Sequence, residues 1–231
     1  MRDNPDAIMF FAAGFGTRMG PLTKDRPKPL VQVAGRALLD HAIDLSDALQ
    51  LTNKVANCHY FPDQIKAHLA HRSDIQLIQE EGEILETGGG LKNALPLLGN
   101  GPVFTMNTDA VWRGPNPMQD LLNAWNPEKM DALLLCAPHT NAIGHKGAGD
   151  FIIGEDARVT YGPGDIYTGI QIIRTERLSE ITETSFSLKK LWAKLLDDQR
   201  MFGLRYSGKW CDVGTPEGVD LAEEMLKGTH V

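Results

Sequence analysis

A glycine-rich segment near the amino terminus carries residue types suited to binding phosphate. Gly14 and Gly16 flank a single residue, and glycines so placed let the backbone approach a ligand and expose successive N–H groups. Arg18 follows and brings a planar guanidinium that matches phosphate oxygens. Lys28 lies between two prolines, so its backbone is stiff and suits a lysine that must reach one fixed phosphate. Together these residues predict an anion-binding site.

Other interpretations of the same segment stay open at this point. A single G-x-G pair is more often a tight turn with solvated basic neighbours. A dinucleotide-binding turn would need a third glycine where Met19 stands, and a helix directly after it, which Pro21 opposes. The sequence contains no Walker A motif.

Asp109 is a candidate metal ligand. It ends the apolar run 103–109, and ligands of parallel sheets bind at the carboxyl ends of strands. A carboxylate there suits Mg²⁺, which proteins hold through one or two carboxylates plus substrate phosphates. The alternative is a turn cap, which is a common role of aspartate.

The elements that must position these residues alternate between short apolar runs and amphipathic segments. Strands are predicted over 7–12, 55–58, 75–78, 103–106 and 132–136, and helices over 37–49, 62–70, 91–98, 188–196 and 216–226. The triple glycine at 88–90 predicts a loop or the beginning of a helix. This alternation implies an α/β fold with a Rossmann-like, mostly parallel sheet flanked by helices.

Composition narrows the class of protein. A length of 231 residues fits one compact domain. The net charge of -7 opposes binding to duplex nucleic acid, which needs a basic surface. The three cysteines are widely spaced and predict reduced thiols rather than a zinc site or disulfides. We see no signal peptide and no membrane span, so we expect a cytoplasmic protein.

The segment 12–31 resembles the signature of sugar-phosphate nucleotidylyltransferases. The matching residues are A-A-G-F-G-T-R at 12–18, L-T at 22–23 and P-K-P-L-V at 27–31. The resemblance implies that the turn wraps a nucleotide through Ala12, Ala13, Gly14, Gly16 and Thr17. It also implies that Arg18 holds the β- and γ-phosphates and that Lys28 contacts phosphate near the reacting centre.

Further segments extend the resemblance and imply roles for their residues. The run E-T-G-G-G at 86–90 resembles the base pocket of the short subfamily that acts on N-acetylmuramate 1-phosphate with UTP, which implies nucleotide-binding roles for Glu86, Thr87, Gly88 and Gly89. The run W-C-D-V-G-T at 210–215 resembles the family segment with the second metal ligand, here Asp212. Sugar-facing segments imply contacts from Asn107, Asp150, Thr168 and Gly169.

The resemblance implies a Mg²⁺-dependent enzyme that joins a nucleoside triphosphate to a sugar 1-phosphate and releases pyrophosphate. UTP with N-acetylmuramic acid 1-phosphate is favoured, and GTP with mannose 1-phosphate is the alternative. A non-catalytic nucleotide- or sugar-sensing module is the alternative of another class. We expect a monomer or small homo-oligomer with no nucleic-acid or membrane partner.

We expect a single nucleotidyltransferase domain over 1–231, with a nucleotide-binding half at 1–115 and a sugar-facing, metal-completing half at 116–231. Short strands at 151–153, 159–161 and 170–173 are expected to form a lid or a smaller, mixed, sugar-facing lobe.

Overall fold

The computed structural model describes residues 3–228, which form a central sheet, two layers of helices and smaller sheets. The strands are β1 (Ala7–Phe11), β2 (Gln32–Val33), β3 (Arg36–Ala37), β4 (Asn53–Cys58), β5 (Ile75–Gln79), β6 (Val103–Asn107), β7 (Ala110–Arg113), β8 (Ala132–Ala137), β9 (Ala142–Ile143), β10 (Phe151–Ile153), β11 (Val159–Tyr161), β12 (Ile166–Ile173), β13 (Met201–Arg205) and β14 (Lys209–Asp212). The helices are α1 (Leu38–Asp47), α2 (Pro62–Leu69), α3 (Glu86–Leu98), α4 (Pro117–Ala124), α5 (Lys189–Asp197) and α6 (Pro216–Lys227). None of the helices within 3–228 is long and apolar enough to cross a bilayer.

The central sheet has seven strands in the order β13-β8-β12-β6-β1-β4-β5. β12 runs antiparallel to both of its neighbours, and the other neighbouring strands are parallel. This arrangement confirms the expected α/β fold with a mostly parallel sheet. Its strands come from both halves of the chain, so 1–115 and 116–231 share one sheet.

Alternation along β1 explains why both faces of this sheet are covered. Ile8 and Phe10 pack on one side with residues of α1, α2 and α4, whereas Ala7 and Met9 pack on the other with residues of α3 and α5. A strand buried on both faces reads as a continuous apolar run, as this segment does. The cysteines are free and buried, in agreement with the expectation of reduced thiols.

A three-stranded sheet, in the order β7-β14-β9, lies beyond the carboxyl end of β6. β14 pairs antiparallel with β7, with Asp212 opposite Ala110, and parallel with β9. α6 packs against this sheet through Ala222 and Met225. The small sheet therefore brings residues near 212 to the edge where β6 ends.

The expectation that 151–153, 159–161 and 170–173 form one lid or lobe was wrong. β10 and β11 do form a separate hairpin, but 170–173 belongs to β12, in the middle of the central sheet. The physical reason is burial, because seven of the eight residues of β12 are buried and need cover on both faces. Gly169 divides this run in the sequence, and the strand passes it with a shift of register.

Helix α3 begins at Glu86, five residues before the start predicted from the sequence. Gly88 and Gly89 lie in its first turns, buried against the segment 184–186. A Cβ on Gly88 would lie 2.4 Å from Cε2 of Phe186, and one on Gly89 would lie 2.2 Å from the carbonyl oxygen of Thr184. Close packing therefore outweighs the poor helix propensity of glycine here.

We predict that Gly89→Ala lowers the free energy of unfolding by about 1–3 kcal/mol, because the new methyl group meets backbone at Thr184. Elsewhere in a helix the same change stabilises by up to about 1 kcal/mol. Thermal and urea unfolding would measure the change, with Asn93→Ala on the exposed face of α3 as the control. A Gly89→Ala protein at least as stable as the natural one would contradict this packing.

Candidate active site

A cleft opens at the carboxyl ends of β1, β4, β5 and β6, the edge where ligands of parallel sheets bind. The residues that line it are Phe11, Ala12, Ala13, Gly14, Lys28, Pro29, Asn57, Glu80, Ile84, Glu86, Thr87, Asn107, Thr108 and Asp109. This list brings together residues from the glycine-rich segment, the P-K-P segment, the E-T-G-G-G run and the end of β6. These segments are separated from one another in the sequence, and the fold places them in one cleft.

The glycine-rich segment forms the floor of the cleft and fits closely against Lys28. Gly16 has φ +64°, and a Cβ there would lie 2.7 Å from Cβ of Lys28. The hydroxyl of Thr23 donates to the carbonyl of Gly16 at 3.0 Å. Ala12 and Ala13 are buried, while Gly14, Thr17 and Arg18 are exposed. Gly16 is therefore required by the close approach of Lys28.

Lys28 is buried, and its ammonium contacts Asp109. The Nζ–Oδ2 distance is 2.7 Å, and Lys28 is 9% exposed. Pro27 is extended, with ψ 148°, and Lys28 opens a short 3₁₀ turn that fixes its backbone. The backbone of Lys28 is thus fixed, as the flanking prolines predict, and its ammonium lies at the end of β6.

Asp109 and Asp212 are brought together by the small sheet. The amide of Val213 donates to the carbonyl of Asp109 at 2.9 Å, which continues the pairing of β14 with β7. Arg18 joins them, because a Cβ on Gly214 would lie 3.1 Å from both Nη2 of Arg18 and Oδ2 of Asp212. Arg18, Lys28, Asp109 and Asp212 therefore form one cluster of charges, as the sequence predicts.

Burial raises the pKa of Asp212, and the negative charge of Asp109 raises it further. The positive charges of Lys28, Arg18 and His145 oppose this increase. A divalent cation between the two carboxylates would relieve their remaining repulsion, so the electrostatics of the pair fit a divalent metal.

The donor set also fits a metal that takes most of its ligands from substrate and water. Within residues 3–228 no group of three or more His, Cys, Asp or Glu side chains could hold a metal by itself. Mg²⁺ is usually held by one or two carboxylates together with substrate phosphates and water. Asp109 and Asp212 would therefore hold the metal only together with bound phosphates.

The E-T-G-G-G run divides into two parts in the structure. Glu86 and Thr87 line the cleft, and the hydroxyl of Thr87 accepts from the amide of Leu188 at 3.0 Å. The amides of Gly88 and Gly89 donate to the carbonyl of Phe186 at 2.8 and 3.0 Å. These two amides are therefore engaged within the protein, and Glu86 and Thr87 face the cleft.

Glu86 has φ +58°, a left-handed conformation that is unusual for a residue other than glycine, aspartate or asparagine. Such a conformation costs about 1–3 kcal/mol and is concentrated at functional sites. The side chain is exposed at the rim of the cleft, so its carboxylate is available to a ligand.

The four residues predicted to face the sugar lie in different surroundings. Asn107 lines the cleft, and Gly169 packs directly on it, since a Cβ on Gly169 would lie 2.9 Å from Nδ2 of Asn107. Thr168 is buried, and its hydroxyl donates to the carbonyl of Leu135 at 2.7 Å. Asp150 is exposed, and its Oδ2 accepts from the amide of Tyr167 at 2.9 Å. Only Asn107 among them is a cleft-lining residue.

Asn57 and Glu80, which were not predicted from the sequence, also line the cleft. Both are 3% exposed and lie at the carboxyl ends of β4 and β5. The signal was present, because each is a polar residue at or just after the carboxyl end of a predicted strand. A polar side chain at that position is a candidate for the ligand-binding edge.

Comparison with known proteins finds relatives that match nearly the whole length of this chain. Residues 8–148 match the family described as the MobA-like NTP transferase domain. The chain is 40% identical to N-acetylmuramate alpha-1-phosphate uridylyltransferase of Caulobacter vibrioides, over 98% of this chain and 99% of that protein. It is 27% identical to mannose-1-phosphate guanyltransferase of Gibberella zeae, over 96% of this chain and 62% of that protein. Among solved structures, the inositol-1-phosphate CTP transferase of T. maritima has a TM-score of 0.78 at 15% identity, covering 97% of each chain.

We predict that Glu86→Gly raises the free energy of unfolding by about 1 kcal/mol, because glycine adopts a positive φ without strain. Thermal unfolding would measure the change. Glu83→Gly, on an exposed residue of ordinary φ, is the matched control and should be neutral or destabilising. Equal losses of stability in the two variants would contradict the inferred strain at Glu86.

Proposed function

The chain belongs to the MobA-like NTP transferase family and is a sugar-phosphate nucleotidyltransferase, and we propose that it transfers a uridylyl group from UTP to N-acetylmuramic acid 1-phosphate. The observation that carries the proposal is the end-to-end similarity to the uridylyltransferase of Caulobacter vibrioides. The E-T-G-G-G run at 86–90 supports it, since two of its residues line the cleft.

In the proposed reaction, an oxygen of the sugar 1-phosphate attacks the α-phosphorus of the nucleotide. The bond from that phosphorus to the bridging oxygen breaks, and pyrophosphate leaves. The attacking oxygen is already ionised at neutral pH, so no general base is required. Catalysis of this kind depends on positioning and on stabilising charge.

The residues of the cleft supply both requirements. Lys28, held rigidly beside Asp109, would neutralise charge at the α-phosphate, and Arg18 would hold the leaving pyrophosphate. The segment 12–17 would wrap the triphosphate with its backbone, and Asn107 would contact a sugar or ribose hydroxyl. Asp109 and Asp212 would hold Mg²⁺, which neutralises charge on the phosphate groups when bound.

The second candidate is transfer of guanylyl from GTP to mannose 1-phosphate, which the similarity to the guanyltransferase of Gibberella zeae favours. That relative is less similar and extends beyond the region that this chain covers. A non-catalytic sensing module is a weaker alternative, since such a module would have lost a residue of the charge cluster. We further propose that the reaction takes place in the cytoplasm and serves the recycling of cell-wall sugars.

The test is pyrophosphate release with Mg²⁺ across four nucleoside triphosphates and several sugar 1-phosphates. We expect release with UTP and N-acetylmuramic acid 1-phosphate and little with other pairs. Release only with GTP and mannose 1-phosphate would replace the proposed substrates. Absence of release with every pair, from folded protein that binds nucleotide, would favour the sensing module.

We predict that Asp109→Asn lowers kcat at least about 100-fold at saturating substrates, because the site loses a charged ligand and the partner of Lys28. Initial rates over a titration of Mg²⁺ would measure the effect, and thermal unfolding would show that the variant folds. Asp220→Asn, on the exposed surface of α6, is the charge-matched control. Undiminished turnover in Asp109→Asn would remove Asp109 from the metal site.

A further inference from the structure

A continuous chain of hydrogen bonds runs beneath the cleft through Asn57 and Glu80. The amide of Ala12 donates to Oδ1 of Asn57 at 2.8 Å. Nδ2 of Asn57 donates to Oε1 of Glu80 at 2.6 Å. The amide of Leu85 donates to Oε2 of Glu80 at 2.9 Å. Two backbone amides that are far apart in sequence are thus joined through two side chains.

This series of hydrogen bonds joins two segments of the protein. In the proposed function, these segments contact opposite ends of a nucleotide. Ala12 begins the glycine-rich segment after β1, and Leu85 immediately precedes Glu86 and Thr87. Asn57 and Glu80 come from the ends of the intervening strands β4 and β5. The relative position of the phosphate side and the base side is therefore fixed by side chains.

The surroundings of Glu80 are unusual for a structural residue. Glu80 is 3% exposed, and within residues 3–228 no lysine, arginine or histidine lies within salt-bridge distance of its carboxylate. Burying a carboxylate without a cation is costly unless donors satisfy its oxygens, as the Asn57 side chain and the Leu85 amide do here. Glutamate is almost never fully buried in proteins unless it is paired, so the buried Glu80 depends on these two donors.

Helix α3 also packs directly on the pair. A Cβ on Gly90 would lie 2.9 Å from Nδ2 of Asn57 and 3.0 Å from Oε1 of Glu80. Nδ1 of His59 lies 3.0 Å from the backbone carbonyl oxygen of Glu80, so the main chain of this residue is held as well. The side chains of Asn57 and Glu80 are thus held by close packing against α3 as well as by their hydrogen bonds.

We propose that Asn57 and Glu80 are positioning residues for the nucleotide, which hold the glycine-rich segment and the start of α3 at the separation that a bound nucleoside triphosphate requires. This inference rests on the proposed nucleotidyl transfer and assigns two residues to it. Loss of the pair should weaken nucleotide binding specifically, because the hydrogen bonds of the pair reach the amides of Ala12 and Leu85 and do not reach Asn107 at the end of β6.

The direction of each hydrogen bond makes the proposal testable by exchanging the two groups. Glu80→Gln puts an amide where two acceptors are needed, so either the Leu85 amide or Asn57 loses its partner. Asn57→Asp places a second carboxylate beside Glu80. The double variant Asn57→Asp/Glu80→Gln reverses the central bond. The new carboxylate at position 57 would then accept from both the Ala12 amide and the new side-chain amide at position 80. The carbonyl oxygen of that side-chain amide would still accept from the Leu85 amide.

Steady-state kinetics of the full chain and calorimetric binding of UTP would measure the effects. We expect Glu80→Gln to raise the KM for the nucleotide and its Kd about tenfold or more, with less than about threefold change in kcat and in the KM for the sugar phosphate. The double variant should return the nucleotide KM to within about threefold of the natural value. Glu81→Gln, an exposed neighbour that does not line the cleft, is the control.

A natural nucleotide KM in Glu80→Gln would overturn the proposal. Equal increases in KM for both substrates, with no recovery in the double variant, would also overturn it and leave the pair a purely structural role. If Glu80→Gln does not fold, Asn57→Asp takes its place, because it also removes the donor of the central bond, and the same rise in the nucleotide KM and Kd is expected. Calorimetry separates this inference from the proposed reaction, because nucleotide binding can change even if the sugar substrate is another one.

Discussion

The site depends on holding two carboxylates close together in a partly buried position. Asp109 and Asp212 lie far apart in sequence, and burial together with the charge of Asp109 raises the pKa of Asp212. Lys28 and Arg18 offset this repulsion from two sides. In the proposed function, phosphate groups with a divalent cation would complete the arrangement. Much of the surrounding structure serves to keep these four charges in place.

Two features of the backbone make that arrangement possible. The first is the pairing of β14 with β7, which continues past Asp212 to the bond between Val213 and Asp109. The second is the absence of a side chain at Gly16, which lets the side chain of Lys28 pack directly on the glycine-rich segment. Neither feature carries a charge itself, and the first lies beside Asp109 whereas the second lies beside Lys28.

The opposite side of the cleft is held by different physics. There the start of α3 is packed through glycines against the segment 184–186, and it is tied to the glycine-rich turn through Asn57 and Glu80. Glu86 adopts a strained conformation at the rim. In the proposed function this is the base side, which is defined by close packing and by neutral or singly charged hydrogen bonds, whereas the phosphate side is defined by charge. This division explains why residue type identifies the phosphate side more readily than the base side.

The sequence by itself determined the class of fold, the family and the members of the charge cluster. Apolar periodicity and turn residues depend on near neighbours, so the strands and helices of the first half could be predicted. Glycine, lysine and aspartate are residue types suited to a phosphate or metal site, so the candidate residues could be chosen from the sequence. The tertiary structure decided the place of 170–173 inside the central sheet, the early start of α3 at Glu86, and the pairing of Asn57 with Glu80. Each of these outcomes depends on contacts between segments distant in sequence, where packing and hydrogen bonding override local preference. The roles of the individual site residues stay predictions, because the arrangement of a cleft does not by itself identify its substrate.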